Sequence, residues 1–378
     1  MQIALVHDWL TGMRGGERSL EPVAEAYPGA ELFTLLHVPG SVSPAIERRR
    51  IHTSVVQRLP AARRYYRNYL PLFPWAIEGF SFDRFDLVLS FSHCVAKSVV
   101  TPGHARHLCY CFTPMRYAWD QFDAYFGPER VGPMASAALR RVMARMARWD
   151  RATAGRPSRY LAISQHVARR IRRYYNREAT IVYPPVNTEY FTPDPAVPSG
   201  DAFLIVSALV PYKRIELAME GARLAGARLR IVGDGPERAA LERAALRLRS
   251  GQAGFDVEFL GRLPDDQVRD EYRRARAVVL PGEEDFGIVP VEAQACGRPV
   301  VALARGGALE TVVDGETGVL AAEPTAAAFA EAFDAAARAR FDTARIRSHA
   351  ERFSTSRFVR EFQAAVDETM AAPAGTRW

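Results

Sequence analysis

The feature that most narrows the fold is an alternation of periods between residues 202 and 303. "AFLIVSAL", "RLRIVGDG", "VEFLGRL", "AVVLPG" and "PVVAL" are short apolar runs rich in β-branched residues, which read as buried strands. "IELAMEGARLA", "PERAALERAALRLRSG" (236–251) and "DDQVRDEYRRA" lie between them and repeat apolar residues at helical spacing. A further helix belongs inside "GEEDFGIVPVEAQACG" (282–297). Strands joined through helices pair in parallel with right-handed crossovers, so this half is a doubly wound α/β domain.

The first half repeats the theme less regularly. "QIALVHDW" (2–9), "DLVLSF" (86–91), "HLCYCF" (107–112) and "RYLAIS" (159–164) read as strands, with helices over 17–27 and 135–154. Between the halves, residues 181–201 hold five prolines. Such a segment neither continues a helix nor sits centrally in a sheet. The domains expected are 1–183, a linker over 184–200, and 201–354.

At 378 residues the chain suits two cores better than one. No apolar run reaches eighteen residues, so nothing is expected to span a membrane. "MQIALVHDWL" lacks a basic leader and reads as a first strand, in keeping with a cytoplasmic protein. Cys94, Cys109, Cys111 and Cys296 are read as reduced, buried thiols, with Cys109 and Cys111 on opposite faces of their strand. Residues 1–190 carry 26 basic and 15 acidic residues, whereas 191–378 carry 24 and 28. The basic excess in the first half suggests an anionic partner there. No nucleic-acid motif is present. Residues 58–75, "RLPAARRYYRNYLPLFPW", interleave arginines with aromatic rings, a mixture that suits an anionic membrane surface as well as a solvated basic face.

Glycine turns after strands mark three places where helix N-termini could meet phosphate: Gly12, Gly15 and Gly16 after the first strand, Gly233 in "VGDGPE", and Gly287 in "LPGEEDFGIVPVE". Of the 50 basic residues only Lys97 and Lys213 are lysines. In so arginine-biased a chain a lysine points to a site needing a compact charge. Lys213 and Arg214, between a strand and a helix, could clamp a diphosphate. Lys97 is as easily structural. Asp265 and Asp266 read as a helix cap and not as metal ligands.

These stretches together resemble retaining glycosyltransferases of family 4, which have the GT-B fold: two Rossmann-like α/β domains facing across a cleft. "EDFGIVPVE" matches the E-x7-E motif, and "YKR", "GDGPE", "FLGRL", "EAQACGRPVVA", "GGALETV" and "DGETGVL" surround it in order. "HDWLTGMRGGE", "SHCVAK" and "CYCFTPMRYAWD" resemble a bacterial branch that includes O-antigen and exopolysaccharide mannosyltransferases. The resemblance implies a nucleotide-sugar donor, GDP-mannose by the subgroup likeness. It implies a saccharide acceptor, which a polyprenyl-diphosphate carrier would suit, at the inner face of the plasma membrane. Glu284 would then contact donor-sugar hydroxyls and Glu292 the ribose. Amides of Phe286, Gly287 and Ile288 would meet sugar and phosphate, and Lys213 the diphosphate. Gly15 and Gly16 match a loop that closes on the donor, and His93 a histidine near the donor sugar. Many members carry an arginine five residues before the lysine; Ala208 stands there in this chain, leaving Arg214 or another arginine to substitute. Residues 355–370 match a helix that returns to the first domain.

Cleaving a glycosidic bond to a nucleoside diphosphate leaves negative charge on phosphate, which Lys213, Arg214 and helix amides could stabilise without an obligate metal. Rival readings are a non-hydrolysing sugar-nucleotide 2-epimerase, a transferase using UDP sugars, and a dehydrogenase. The epimerase would need an acid/base set not found in the sequence. The dehydrogenase would need a G-x-G-x-x-G that is absent.

Overall fold

The computed structural model describes residues 1–249, 255–373 and 375–378. The chain divides into two units: Met1–Pro185 with Ser356–Trp378, and Val186–Thr355.

The first unit is built on seven parallel strands: β1 (Ile3–His7), β2 (Glu31–Thr34), β3 (Ile51–Thr53), β4 (Leu87–Ser92), β5 (Arg106–Cys111), β6 (Arg159–Ala162) and β7 (Thr180–Ile181). Their order is β3-β2-β1-β4-β5-β6-β7, so the strand order reverses between β1 and β4, which pair in parallel. The strands β2, β3 and β7 have no strand reading in the sequence because four, three and two residues carry too little periodicity. Helix α1 (Gly15–Ala26) follows β1 directly, and the longer α2 (Pro133–Ala152) precedes β6. Cys109 and Cys111 are separated by one residue of β5, and side chains two apart share a face. The opposite-face expectation is therefore wrong, although all four cysteines are free and buried.

Lys97 proves structural. Its ammonium is 1% exposed and lies 3.0 Å from Asp150 Oδ1. It donates to the Asp150 carbonyl (2.7 Å), Ser98 Oγ (3.1 Å) and Thr153 Oγ1 (3.1 Å). A compact ammonium can serve these convergent acceptors where a planar guanidinium could not.

The second unit holds six parallel strands: β8 (Phe203–Val206), β9 (Arg228–Val232), β10 (Asp256–Gly261), β11 (Val278–Leu280), β12 (Val300–Leu303) and β13 (Gly318–Ala321). The order β10-β9-β8-β11-β12-β13 reverses between β8 and β11. Helices α3 (Ile215–Leu224), α4 (Arg238–Arg249), α5 (Asp265–Arg274) and α6 (Ile288–Ala295) cross between strands. The last two residues of the helix expected over 236–251 lie outside the described residues. Asp265 and Asp266 occupy the first turn of α5, where carboxylates favour the helix dipole; the cap position is Pro264, so they are not the cap. The proline-rich segment is anchored within this unit: Val186 donates its amide to the Phe353 carbonyl (2.9 Å), and Arg347 donates to carbonyls of Thr188, Phe191 and Ala295.

Helix α7 (Thr355–Ala371) ends the chain's regular structure, and from Ser356 onward it belongs to the first unit. Phe362 stacks on Phe91 of β4 (5.8 Å), and Phe358 meets Tyr110 of β5 edge-on (5.6 Å). Burying each phenyl ring contributes about 1.5–3 kcal/mol.

Candidate functional site

In doubly wound sheets ligands bind beyond the strand carboxyl ends where the strand order reverses. In the second unit that point lies between β8 and β11, and two candidate residues flank it. Lys213 ends a short turn, Pro211–Lys213, after β8. Glu284 follows β11. Their side chains form an ion pair, with 20% and 13% exposure. Close backbone packing sets this geometry. A Cβ on Gly282 would lie 2.5 Å from the Tyr212 carbonyl oxygen, so only glycine lets the β11 loop approach the lysine turn. The Glu284 carbonyl accepts the Gly307 amide at 2.7 Å. A Cβ on Gly306 or Gly307 would clash at 2.3 Å with Glu284 or Phe286 backbone. The paired glycines of "GGALETV" thus brace the acidic loop.

Gly287 caps α6 with φ 93°, a left-handed conformation that favours glycine, and Ile288 begins the helix. The first amides of a helix have no intrahelical acceptor and suit an anion. The Phe286 ring is buried against Phe353 (5.5 Å), so it offers the site only its backbone. Glu292, further along α6, is 5% exposed and accepts a hydrogen bond from the Tyr272 hydroxyl at 2.8 Å. Gly233 has φ 133°, and a Cβ there would sit 1.8 Å from the Ser207 carbonyl oxygen, a structural reason for the glycine. Arg214 is exposed in the left-handed region (φ 52°) at the start of α3. Among the described residues no group of three or more His, Cys, Asp or Glu could hold a metal ion.

The first unit has its own constellation at its own reversal point. Gly15 and Gly16 open α1 after β1. A Cβ on Gly16 would come 3.1 Å from His7 Nε2, which is buried without a hydrogen-bond partner. His7 Nδ1 donates to the Trp9 carbonyl at 2.9 Å. His93 follows β4, is 30% exposed, and places Nδ1 3.1 Å from Asp8 Oδ2. Burial depresses the His93 pKa below 6.5 despite the opposing attraction of Asp8. Glu17 reaches back to the Arg14 amide (3.1 Å), and burial raises its carboxyl pKa.

Lys213 and Glu284 therefore touch. Phe286, Gly287, Ile288 and Glu292 lie on or beside the helix that follows Glu284, and Arg214 adjoins Lys213. Gly15, Gly16 and His93 group together in the other unit. The sequence reading missed Asp8, His7 and Tyr272. For the first two a signal exists: "VHDW" places two polar residues at the carboxyl end of a buried strand, where ligands collect.

Comparison with known proteins bears on the fold and the family. The chain is 36% identical over 176 residues to a D-inositol 3-phosphate glycosyltransferase of Frankia alni, covering 41% of this chain and 43% of that protein. It is 34% identical over 160 residues to a GDP-mannose-dependent alpha-(1-6)-phosphatidylinositol monomannoside mannosyltransferase of Mycolicibacterium smegmatis, covering 36% and 41%. The chain thus spans less than half the length of these two relatives. The crystal structure of Anabaena HepE in complex with UDP superposes with a TM-score of 0.69 at 16% identity, covering 97% of this chain and 100% of that one. That likeness establishes the fold, two Rossmann-like α/β domains of the GT-B class. Residues 189–353, almost the whole second unit with Lys213, Glu284 and Glu292, match the family described as glycosyl transferases group 1.

Proposed function

We propose that the chain is a retaining family 4 glycosyltransferase that moves a hexose, mannose from GDP-mannose, to a saccharide acceptor on a polyprenyl-diphosphate carrier in cell-surface polysaccharide synthesis. The observation that carries the reading is the Lys213–Glu284 pair at the strand-order reversal of the unit that matches group 1 glycosyl transferases. A cation and a carboxylate side by side suit a donor that is anionic at its diphosphate and hydroxyl-rich at its sugar. Lys213, Arg214 and the free amides at the start of α6 would stabilise the charge that develops on the leaving diphosphate. Glu284 would accept from sugar hydroxyls. Glu292, oriented by Tyr272, would accept from the ribose. Gly233, Gly15 and Gly16 would let backbone approach the donor, and His93 would contact the donor sugar.

Mannose is favoured by the resemblance of the first half and by the GDP-mannose-dependent relative. A membrane-bound acceptor agrees with the basic, aromatic surface of residues 58–75 and with a peripheral location on the inner face of the plasma membrane. Among the described residues no helix is long and apolar enough to cross a membrane. Thermal shift against a panel of sugar nucleotides tests the donor. GDP-mannose should raise the melting temperature most; a preference for UDP sugars would replace the donor, and no response to any nucleotide would reject the transferase reading.

A further inference from the structure

One buried carboxylate spans the point where the first unit's sheet reverses. Asp8 follows β1 and is wholly buried. Its Oδ2 accepts the amides of His93 (2.7 Å) and Cys94 (2.9 Å), and its Oδ1 those of Val95 (2.7 Å) and Ala96 (2.8 Å). Four consecutive amides converging on one side chain fix the turn after β4. The ring Nδ1 of His93 lies 3.1 Å from the same Oδ2. The contact is not angled as a hydrogen bond, but a negative carboxylate oxygen this close to Nδ1 is met better by a hydrogen than by a lone pair, so Nδ1 carries the hydrogen. The neutral ring then keeps its lone pair on Nε2. Trp9 packs edge-on to the ring at 4.4 Å and holds its plane. The charged or titratable groups facing His93 are Asp8, His7, Glu17 and Arg116.

We propose that Asp8 is a positioning residue: it sets both the His93 turn and the His93 tautomer, so that Nε2 stands ready to accept a hydrogen bond from a hydroxyl of the bound sugar. The identity of that hydroxyl rests on the transferase reading; the tautomer does not. A carboxylate that only stapled the loop would fix the four amides and leave the ring free to adopt either tautomer.

The first test uses the full chain labelled with ¹⁵N-histidine and long-range ¹⁵N–¹H correlation near neutral pH, with His93→Gln assigning the signal by its loss. Nitrogen shifts of a protonated Nδ1 and a bare Nε2 are expected. A protonated Nε2 with a bare Nδ1 overturns the proposal, whether or not sugar transfer is ever detected. The second test is kinetic. Asp8→Asn should lower kcat by about tenfold, the worth of one hydrogen bond, with KM little changed. In a His93→Gln background it should cost little more, because the ring it positions is gone. Equal losses in both backgrounds would assign Asp8 a purely structural role and overturn the proposal. Should Asp8→Asn fail to fold, the tautomer in the unaltered protein decides alone. Failure of the transferase reading would appear separately, as silence in the sugar-nucleotide panel with the tautomer unaffected.

Discussion

Lys213 and Glu284, 71 residues apart in sequence, close an ion pair across the reversal point of the second sheet. Both are read from sequence as ligand contacts, and their side chains pair with each other. A diphosphate must therefore compete with Glu284 for the lysine. Glu284→Gln should act with opposite signs on binding and on turnover. Nucleoside diphosphate should bind roughly fivefold tighter, since a partly exposed pair of about 1 kcal/mol no longer has to be broken. Sugar transfer should fall by about 10²–10³, the usual cost of losing one electrostatic contact to a transition state. Calorimetry with the diphosphate and a transfer assay on the same preparation would check this. Unchanged transfer in the variant would remove Glu284 from the site.

Lys97 and Lys213 are equally scarce in the sequence and opposite in role. Lys97 is held by Asp150, whose Oδ2 also takes the Trp119 indole N–H (2.8 Å) and the Tyr175 hydroxyl (2.9 Å). Removing the cation strands a buried carboxylate, which typically costs 3–5 kcal/mol. Lys97→Met should therefore lose about 3–5 kcal/mol of unfolding free energy. Lys97→Arg should also be destabilised, since its planar head cannot serve the same acceptors. Urea unfolding measures both; a variant as stable as the parent would show that the cluster contributes nothing.

The contrast between the two lysines marks what can be read from sequence. Strand and helix alternation, and the acidic motif with its glycine partners, are local patterns, and the second unit was legible from them almost element by element. Asp8 was not, because its acceptor role depends on amides 85 to 88 residues away. Tyr272 was hidden for a similar reason: its contact with Glu292 arises only once α5 packs beside α6. Charge rarity identified both lysines as special, but only packing separates a buried cation with protein acceptors from one beside a ligand crevice.

Acid should weaken the fold through histidines held neutral. His107 on β5 is fully buried with Nε2 2.7 Å from Ser90 Oγ. Burial first, then the charges of Lys97 and Arg156, lower its pKa to about 3. Its folded value lies below the unfolded one, so above pH 6.5 neither state binds the proton and no stability is lost. Below that the unfolded chain takes up a proton that the folded chain refuses. Stability should fall by about 1.4 kcal/mol per pH unit for this residue until about pH 3. His7 and His93, also depressed by burial, act in the same direction. Urea midpoints at about pH 7.5 and pH 5 should diverge less in His107→Gln than in the parent. Parallel curves would assign the acid sensitivity elsewhere.

The surface of residues 55–75 yields the last expectation. Val56, Ala62, Tyr66, Leu70 and Phe73 point into the first unit's core. The opposite face leaves Val55 38%, Tyr65 46%, Leu72 43% and Trp75 66% exposed. Arg58, Arg63, Arg64 and Arg67 are exposed alongside them, and the segment contains no acidic residue. A merely solvated face gains nothing by leaving an indole and a leucine in water. An anionic bilayer gives the rings a headgroup layer and the arginines phosphate partners. At low salt the protein should float with phosphatidylglycerol vesicles and not with phosphatidylcholine vesicles. Arg63→Glu should weaken flotation by at least about fivefold, given ~1 kcal/mol per basic residue near such a surface. Trp75→Ala should weaken it while leaving its salt dependence intact, because the indole contributes through burial and not through charge. Flotation equal on both lipids, or unchanged in both variants, would show that this face does not dock on a membrane.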